Sequence, residues 1–323
     1  MKALVLTAAG APLEVLDFPD PIPKEGEVIV DIEAGALNHR DVWITKGQYP
    51  GIHYPSILGS DGAGFLDGKR VLLNPSLQWG DDPAVQGEKY NILGLPAQGT
   101  FATRIAVPRT HVLEAPAHLS MEQTAAVPLA GLTAYRALFT RAKLKAGERV
   151  LISGIGGGVA LFAGQFALAT GAEVFVTSGS DEKIDRAVKM GAEDGVNYQL
   201  EGWAKKLKTR SGGFDVIIDS AAGPGFTDLV SLLRPAGRVV LYGGTRGAIP
   251  KLNPQQIFWR QINIMGSTMG NDREFADMLA FIDRHRISPV VDSIYPLSKG
   301  QAAFERMEQS LQFGKIILQV KAD

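Results

Sequence analysis

Residues Arg149–Ser180 read RVLISGIGGGVALFAGQFALATGAEVFVTSGS, and this stretch decides how the rest of the chain is read. It opens on a short apolar run, Val150-Leu151-Ile152-Ser153. It then breaks into Gly154-Ile155-Gly156-Gly157-Gly158-Val159-Ala160. A small apolar helical run over Leu161–Thr170 follows, then Gly171-Ala172, then a second strand-like run, Glu173-Val174-Phe175-Val176-Thr177. Strand, glycine turn, helix and strand within about thirty residues is the length of a mononucleotide-binding βαβ unit. A residue without Cβ lets the chain turn sharply and lets backbone N–H groups approach a pyrophosphate. The helix N-terminus behind the turn adds partial positive charge. Small Ala160 leaves room for helix and strand to pack closely. A glycine cluster alone is weak, since such turns are common loop material. Here Gly154-x-x-Gly157-x-x-Ala160 sits between a buried strand and a helix, the context that gives the spacing its meaning.

The pattern continues downstream. Strands are expected at Val174–Thr177, Gly195–Asn197, Val216–Asp219, Val239–Tyr242 and Asn263–Ser267, with helices between most of them. Near-continuous apolar runs such as Val216-Ile217-Ile218 mark a parallel sheet covered on both faces. Helices are expected at Arg273–His285 and Ser298–Leu311, and a last strand at Lys315–Val320. That strand has no obvious place in the nucleotide sheet, and its return to the first domain would make that domain discontinuous. Upstream, residues 1 to about 115 are β-rich, with runs at Lys2–Leu6, Glu14–Asp17, Glu27–Ala34, Arg70–Asn74 and Phe101–Val107 punctuated by Gly and Pro. This half reads as a small barrel carrying binding loops. The stretch Pro75–Gly99 is long for a loop and is either functional or mobile. Ser120, with Gln123 three positions on, has the spacing of a capping box. Helical segments are expected over Met121–Pro128 and Thr133–Lys143.

The chain has 323 residues and a net charge of -1, which gives no sign of nucleic-acid or membrane-surface binding. It has no cysteine, which rules out disulfides, thiolate metal sites and cysteine nucleophiles. Met1–Leu6 is too short for a signal sequence and reads as a strand. No apolar run is long enough to span a bilayer. A soluble, cytoplasmic protein is the expectation.

Taken together, several segments resemble the medium-chain dehydrogenase/reductase family, more narrowly its zinc-free quinone oxidoreductase-like branch. They are Ala36-Leu37-Asn38-His39-Arg40-Asp41, Ile57-Leu58-Gly59-Ser60-Asp61-Gly62-Ala63-Gly64, Pro128-Leu129-Ala130-Gly131-Leu132-Thr133-Ala134-Tyr135, the glycine turn, Tyr242-Gly243-Gly244-Thr245 and Gly314-Lys315-Ile316-Ile317-Leu318. The resemblance implies an α/β fold: a Rossmann doubly wound parallel sheet domain plus a GroES-like β-barrel catalytic domain. It implies a catalytic domain over 1–118, a nucleotide-binding domain over 119–262, and a last sheet strand with return to the catalytic domain over 263–323. A homodimer joined at the sheet edge near Asn263–Thr268 is also implied.

Zinc-dependent relatives hold their catalytic metal with a cysteine, a histidine and a nearby glutamate. The matching positions here are Asn38, Ser60 and Asp61. Asn and Ser are poor zinc ligands, and a structural zinc lobe needs four cysteines. His39, His53 and His111 have no defensible ligand spacing, so no metal is expected. Without a Lewis acid, developing negative charge must be met by hydrogen-bond donors. Hydride delivery to a quinone, or to the β-carbon of an enone or enal, remains feasible because charge spreads onto the carbonyl oxygen. The expected activity is therefore NADPH-dependent reduction of a quinone or α,β-unsaturated carbonyl. A zinc-type alcohol dehydrogenase and a non-catalytic NADPH-binding protein are the alternatives.

NADPH is expected because an NAD site usually carries Asp or Glu at the end of the second strand, about twenty residues past the glycines. Ser178 stands there instead. Ser178, Ser180, Lys183 and Tyr198 form a candidate 2′-phosphate site, as the matching Lys and Tyr do in similar reductases. The other readings are that Ser180 only caps a helix, that Lys183 is a solvated face residue, and that Asp181 serves an NAD ribose. The turn residues Gly154, Gly156, Gly157, Gly158 and Val159 are expected at the pyrophosphate. Thr133 is expected to begin a helix and reach the nicotinamide or a phosphate, or to be an ordinary first-turn threonine. Gly243 and Gly244 follow a strand at its C-terminal end, where ligands bind in open sheets. Asp219 either touches a ribose or caps a loop. Phe258, Ser267 and Met269 are placed near the nicotinamide. Lys315 either approaches a phosphate or pairs with a carboxylate. For substrate polarisation the candidates are Asn38 as amide donor and Asp41 as its orienting partner, with His39 a possible proton donor and Tyr49 and Tyr54 on a nearby loop. Arg40 reads as structural.

Overall fold

The computed structural model describes residues 1–320. The chain forms two compact units. One comprises Met1–Leu132 together with the described residues from Gly270 on; the other is Thr133–Met269.

The first unit is mostly sheet. Its strands are β1 (Lys2–Leu6), β2 (Glu14–Asp17), β3 (Glu27–Ala36), β4 (Ser56–Ile57), β5 (Asp61–Leu66), β6 (Lys69–Leu73), β7 (Ser76–Leu77), β8 (Asn91–Ile92), β9 (Arg104–Pro108) and β10 (Val112–Glu114). Helix α1 (His39–Thr45) follows β3, and α2 (Met121–Ala126) follows β10. The capping box is present: Ser120 Oγ accepts from the Gln123 N–H, and the Gln123 side chain accepts from the Ser120 N–H. The division between the units falls inside α3 (Pro128–Tyr135). It therefore lies beyond the expected boundary at 118/119, because α2 packs on β3 and β5 of the first unit.

The second unit carries β11 (Arg149–Ile152), α4 (Gly158–Thr170), β12 (Glu173–Ser178), α5 (Asp181–Lys189), β13 (Asp194–Asn197), α6 (Trp203–Ser211), β14 (Phe214–Asp219), α7 (Phe226–Leu232), β15 (Leu233–Leu241), α8 (Pro254–Phe258) and β16 (Asn263–Gly266). All six strands are parallel, in the order β13-β12-β11-β14-β15-β16. This is the doubly wound order in which the direction of winding reverses between β11 and β14. Val150, Ile152, Val216, Ile217 and Ile218 are fully buried, as strands covered on both faces must be.

The chain then returns to the first unit through α9 (Asp272–His285), β17 (Val291–Pro296), α10 (Gly300–Glu308) and β18 (Lys315–Gln319). β18 pairs antiparallel with β3 and parallel with β17, and this extends a sheet ordered β10-β6-β5-β3-β18-β17. The core beneath it gathers Leu4, Leu6, Ile32, Leu37, Phe101, Ile316 and Leu318. β3 and β5 approach so closely that a Cβ on Gly64 would stand 1.9 Å from the Asp31 carbonyl oxygen.

Pro75–Gly99 is packed against its own unit. β7 and β8 pair within it, Trp79 and Leu93 are buried, and Trp79 meets Tyr90 edge-on at 5.2 Å. β17 was not visible in the sequence, because Val-Asp-Ser-Ile-Tyr-Pro carries too few apolar residues. Among the described residues, no helix is long and apolar enough to cross a membrane.

Candidate functional site

In the second unit the glycine turn leaves the C-terminal end of β11, where the winding reverses and ligands bind in sheets of this kind. The turn is tied to the neighbouring strand: the Ile155 N–H donates to the Thr177 carbonyl at 2.7 Å, and the Gly154 N–H to Thr177 Oγ1 at 3.2 Å. Gly156 has φ +132, which glycine alone adopts freely. α4 begins at Gly158 with Gly157 as its N-cap, and no side chain caps it. Its first N–H groups, at Gly158 and Val159, have no carbonyl within the helix, an arrangement that suits an anion.

The side chain of Lys183 lies over this turn, and a Cβ on Gly156 would meet Lys183 Cδ at 3.0 Å and Nζ at 3.5 Å. At the end of β12, Ser178 is buried and its Oγ accepts from the Ser180 N–H at 3.2 Å. Ser180 does cap α5, accepting from the Lys183 N–H at 3.4 Å. Tyr198 also arrives here. A Cβ on Gly179 would come within 3.0 Å of Tyr198 Oη and of Gln199 Nε2. Gln199 was not anticipated, because nothing local in the sequence says that residues after β13 fold over the end of β12. Asp181 accepts a hydrogen bond from Asn197 Nδ2 at 3.1 Å.

The other expected contacts divide. Asp219 is fully buried and committed to the fold: the Ser153 hydroxyl donates to one carboxylate oxygen, and the Ala222 N–H to the other at 2.8 Å. Its loop-capping reading is the one the structure carries. Gly243 has its Cβ direction blocked by the Ser220 carbonyl oxygen at 2.7 Å, whereas Gly244 faces open space. Ser267 follows β16, with its N–H on the Leu241 carbonyl and its buried Oγ without a protein partner. Thr133 lies inside α3 rather than at a helix start, because Pro128 begins that helix. Its hydroxyl contacts Met269 Sδ at 3.7 Å. Phe258 is 59% exposed and sits beside Trp259, itself 83% exposed, so it presents a surface rather than lining a pocket.

In the first unit, Asn38 is the N-cap of α1, and Asp41 Oδ2 accepts from the Asn38 N–H at 2.8 Å. Burial pushes the Asp41 carboxyl up to about 6, although Arg40 and the Asn38 N–H pull it down. The second oxygen of Asp41 is buried without a partner. Asn38 does not point its amide freely into solvent. Nδ2 donates to Asp61 Oδ2 at 2.9 Å and reaches the Ala36 carbonyl only at 3.5 Å.

Lys315 completes the cluster. Its ammonium donates to the Leu37 carbonyl at 2.7 Å, to Asn38 Oδ1 at 2.8 Å and to Asp61 Oδ2 at 2.8 Å. An ammonium has only three N–H bonds, so none is left for a phosphate, and the carboxylate-pairing reading of Lys315 replaces the cofactor reading. Asp61 also accepts the Leu129 N–H at 2.7 Å.

Ser60 accepts from Arg40 Nη1 at 2.6 Å, and the same nitrogen reaches the Leu93 carbonyl at 3.1 Å. The Arg40 guanidinium lies 5.1 Å from the Tyr49 ring centre, so Tyr49 packs on Arg40. Tyr54 is exposed. His39 is open at the surface, yet partial desolvation, then the charges of Lys315 and Lys46, lower its pKa. Its ring is therefore neutral near pH 7. A zinc ion does not fit this donor set. Amide and hydroxyl groups stand where thiolate and imidazole are needed, and an ammonium already binds the carboxylate. Among the described residues, no group of three or more His, Cys, Asp or Glu is placed to hold a metal.

The two units define a two-domain dehydrogenase of the α/β type. Residues 24–117 match the alcohol dehydrogenase GroES-like domain, and residues 158–284 match the zinc-binding dehydrogenase family. The chain is 33% identical to a zinc-type alcohol dehydrogenase-like protein, YogA, of Leptosphaeria maculans, over 96% of this chain and 95% of that protein. It is 32% identical to the quinone oxidoreductase of Rattus norvegicus, over 98% and 97%. A crystal structure of an NAD-dependent alcohol dehydrogenase superposes with a TM-score of 0.94 at 34% identity, covering 99% of this chain and 100% of that one. The chain belongs to the medium-chain dehydrogenase/reductase superfamily, a family of NAD(P)-dependent oxidoreductases.

Proposed function

We propose that this protein is a zinc-independent, NADPH-dependent reductase of quinones or α,β-unsaturated carbonyl compounds. The observation that carries the reading is the cluster of Asn38, Asp61 and Lys315, a buried hydrogen-bonded network with an amide where zinc-dependent relatives need a thiolate. When bound, the reduced dinucleotide supplies the hydride. The chain's own residues do the rest.

The N–H groups at the start of α4 and the open face of Gly244 hold the phosphates and ribose. Lys183, Ser178, Ser180 and Tyr198 hold the 2′-phosphate. Asp181, turned to Asn197, leaves that place without a carboxylate, which favours NADPH. A conjugated acceptor that gains hydride at its β-carbon shifts its π electrons to the carbonyl oxygen. The second N–H of Asn38, held only at 3.5 Å by Ala36, is the donor for that oxygen. Water then delivers a proton to the α-carbon and the carbonyl re-forms. His39, neutral at pH 7, is not required.

The exposed face of Phe258, Trp259 and Ile264 beside edge strand β16 supports a homodimer joined there.

NADPH oxidation measured against quinones, enals and simple alcohols or aldehydes, with and without chelator, tests the reading. Turnover of conjugated acceptors with NADPH, unchanged by chelator, is expected. Alcohol oxidation that needs zinc, or a clear preference for NADH, overturns it.

A further inference from the structure

The Lys315 ammonium reaches Asn38 across 277 positions of sequence, and nothing in the chain's nucleotide-binding chemistry uses it. All of its partners are acceptors of the first unit: one backbone carbonyl, one amide oxygen and one carboxylate oxygen, at 2.7–2.8 Å. All three side chains are buried, with Asn38 7% exposed, Lys315 3% and Asp61 0%, so Asn38 is the least enclosed of them. The cation therefore sits one hydrogen bond behind the Asn38 amide.

We infer that the Lys315 ammonium is the built-in cation of this site, a positioning residue that works through the Asn38 amide. The inference rests on the reductase reading above and deepens it. Two effects follow from the geometry. Binding at Oδ1 fixes which end of the amide is oxygen, so Nδ2 is held on Asp61 at 2.9 Å, and its other N–H, which meets the Ala36 carbonyl only at 3.5 Å, is the one that can turn to a substrate oxygen. A cation on the amide oxygen also draws electrons from nitrogen, which makes that N–H a stronger donor, as in any polarised hydrogen-bond chain. Negative charge arriving on the substrate oxygen is thus coupled to a fixed positive charge without a metal. Asp61 neutralises the ammonium in the resting protein and keeps the buried charge paired.

The test separates this role from simple charge pairing. Lys315→Met should lower kcat for an enone by about 10²-fold or more, the cost of losing an oxyanion donor, while the KM for NADPH stays as it was. The double variant Lys315→Met/Asp61→Asn removes both buried charges and keeps the fold neutral. It should remain as slow as the single variant. Recovery of kcat in the double variant would show that Lys315 only balances Asp61, and would overturn the inference. A raised coenzyme KM with unchanged kcat would overturn it in favour of a phosphate contact.

A readout without turnover uses Lys315→Ala. Methylammonium, but not tetramethylammonium, should raise the melting temperature of that variant in a saturable way and leave the wild-type protein unaffected. No selective stabilisation overturns the cation site. A wild-type protein that reduces no quinone or enone overturns the functional reading instead, and the melting measurement tells the two failures apart.

Discussion

Lys183 lies across Gly156, so that a Cβ on the glycine would stand 3.0 Å from the lysine Cδ. The two residues are 27 positions apart in sequence, Gly156 in the turn between β11 and α4 and Lys183 in the first turn of α5. Their contact packs the lysine stem over the glycine turn. It also fixes what substitutions there should do.

Gly156→Ala combines a direction crowded by the Lys183 side chain with a φ of +132 that L-residues rarely adopt. Dinucleotide binding should be lost, with about 1–3 kcal/mol of stability. Lys183→Ala keeps the turn and should raise the KM for NADPH at least tenfold with little effect on the KM for NADH, since a charge-assisted contact to phosphate contributes about 1.5–3 kcal/mol. Tyr198→Phe should move the ratio in the same direction by less. Titration of each variant with both coenzymes decides the matter; equal losses for the two would remove the 2′-phosphate assignment.

Asp41 predicts a pH dependence. Its folded pKa of about 6 lies above the ordinary 3.8, so the folded state binds the proton more tightly than the unfolded one. Well below 3.8 both states are protonated and nothing is lost. As pH rises through 3.8 toward 6, ionisation destabilises the fold, by on the order of 3 kcal/mol once complete. Asp41→Asn keeps an oxygen for the Asn38 N–H and removes the titration. Its stability relative to wild type should therefore rise between about pH 4 and pH 7. Urea unfolding across that range checks this, and parallel curves would contradict it.

Asp292 should act with the opposite sign. Burial alone would raise its pKa, but bonds from Arg306, the Phe313 N–H and Ser293 outweigh burial and leave it below the ordinary value. Its contribution is full above 3.8 and is lost as pH falls through the folded pKa. Asp292→Asn should cost about 2 kcal/mol at pH 7 and less in acid. A difference that does not shrink on acidification would rule this out.

Two glycines make a paired test of packing. Gly64→Ala drives a Cβ into the Asp31 carbonyl at 1.9 Å and should destabilise by about 3 kcal/mol. Gly164→Ala lies within α4 with nothing inside 4 Å of the new Cβ. It should be neutral or stabilising by up to about 1 kcal/mol, since alanine is the better helix former. Thermal unfolding of the two variants checks both; similar losses would mean the space around Gly164 is not available.

Much of this protein was written locally. The glycine turn, the alternation that follows it and the Ser120 capping box depend on residues within a few positions of one another, so periodicity and turn chemistry sufficed to read them. The absence of cysteine and the Asn38-Ser60-Asp61 substitution argued against a zinc site, because ligand chemistry depends on residue type alone. Tertiary structure decided the rest, by bringing distant residues into contact. Lys315 had two open readings in sequence, and only the pairing of β18 with β3 placed its ammonium on Asn38 and Asp61. Asp219 looked equally suited to a ribose until the Ser153 hydroxyl and the Ala222 N–H claimed its oxygens. A side chain's type limits which partners it can accept, and the strand register then determines which of them lie within 3 Å.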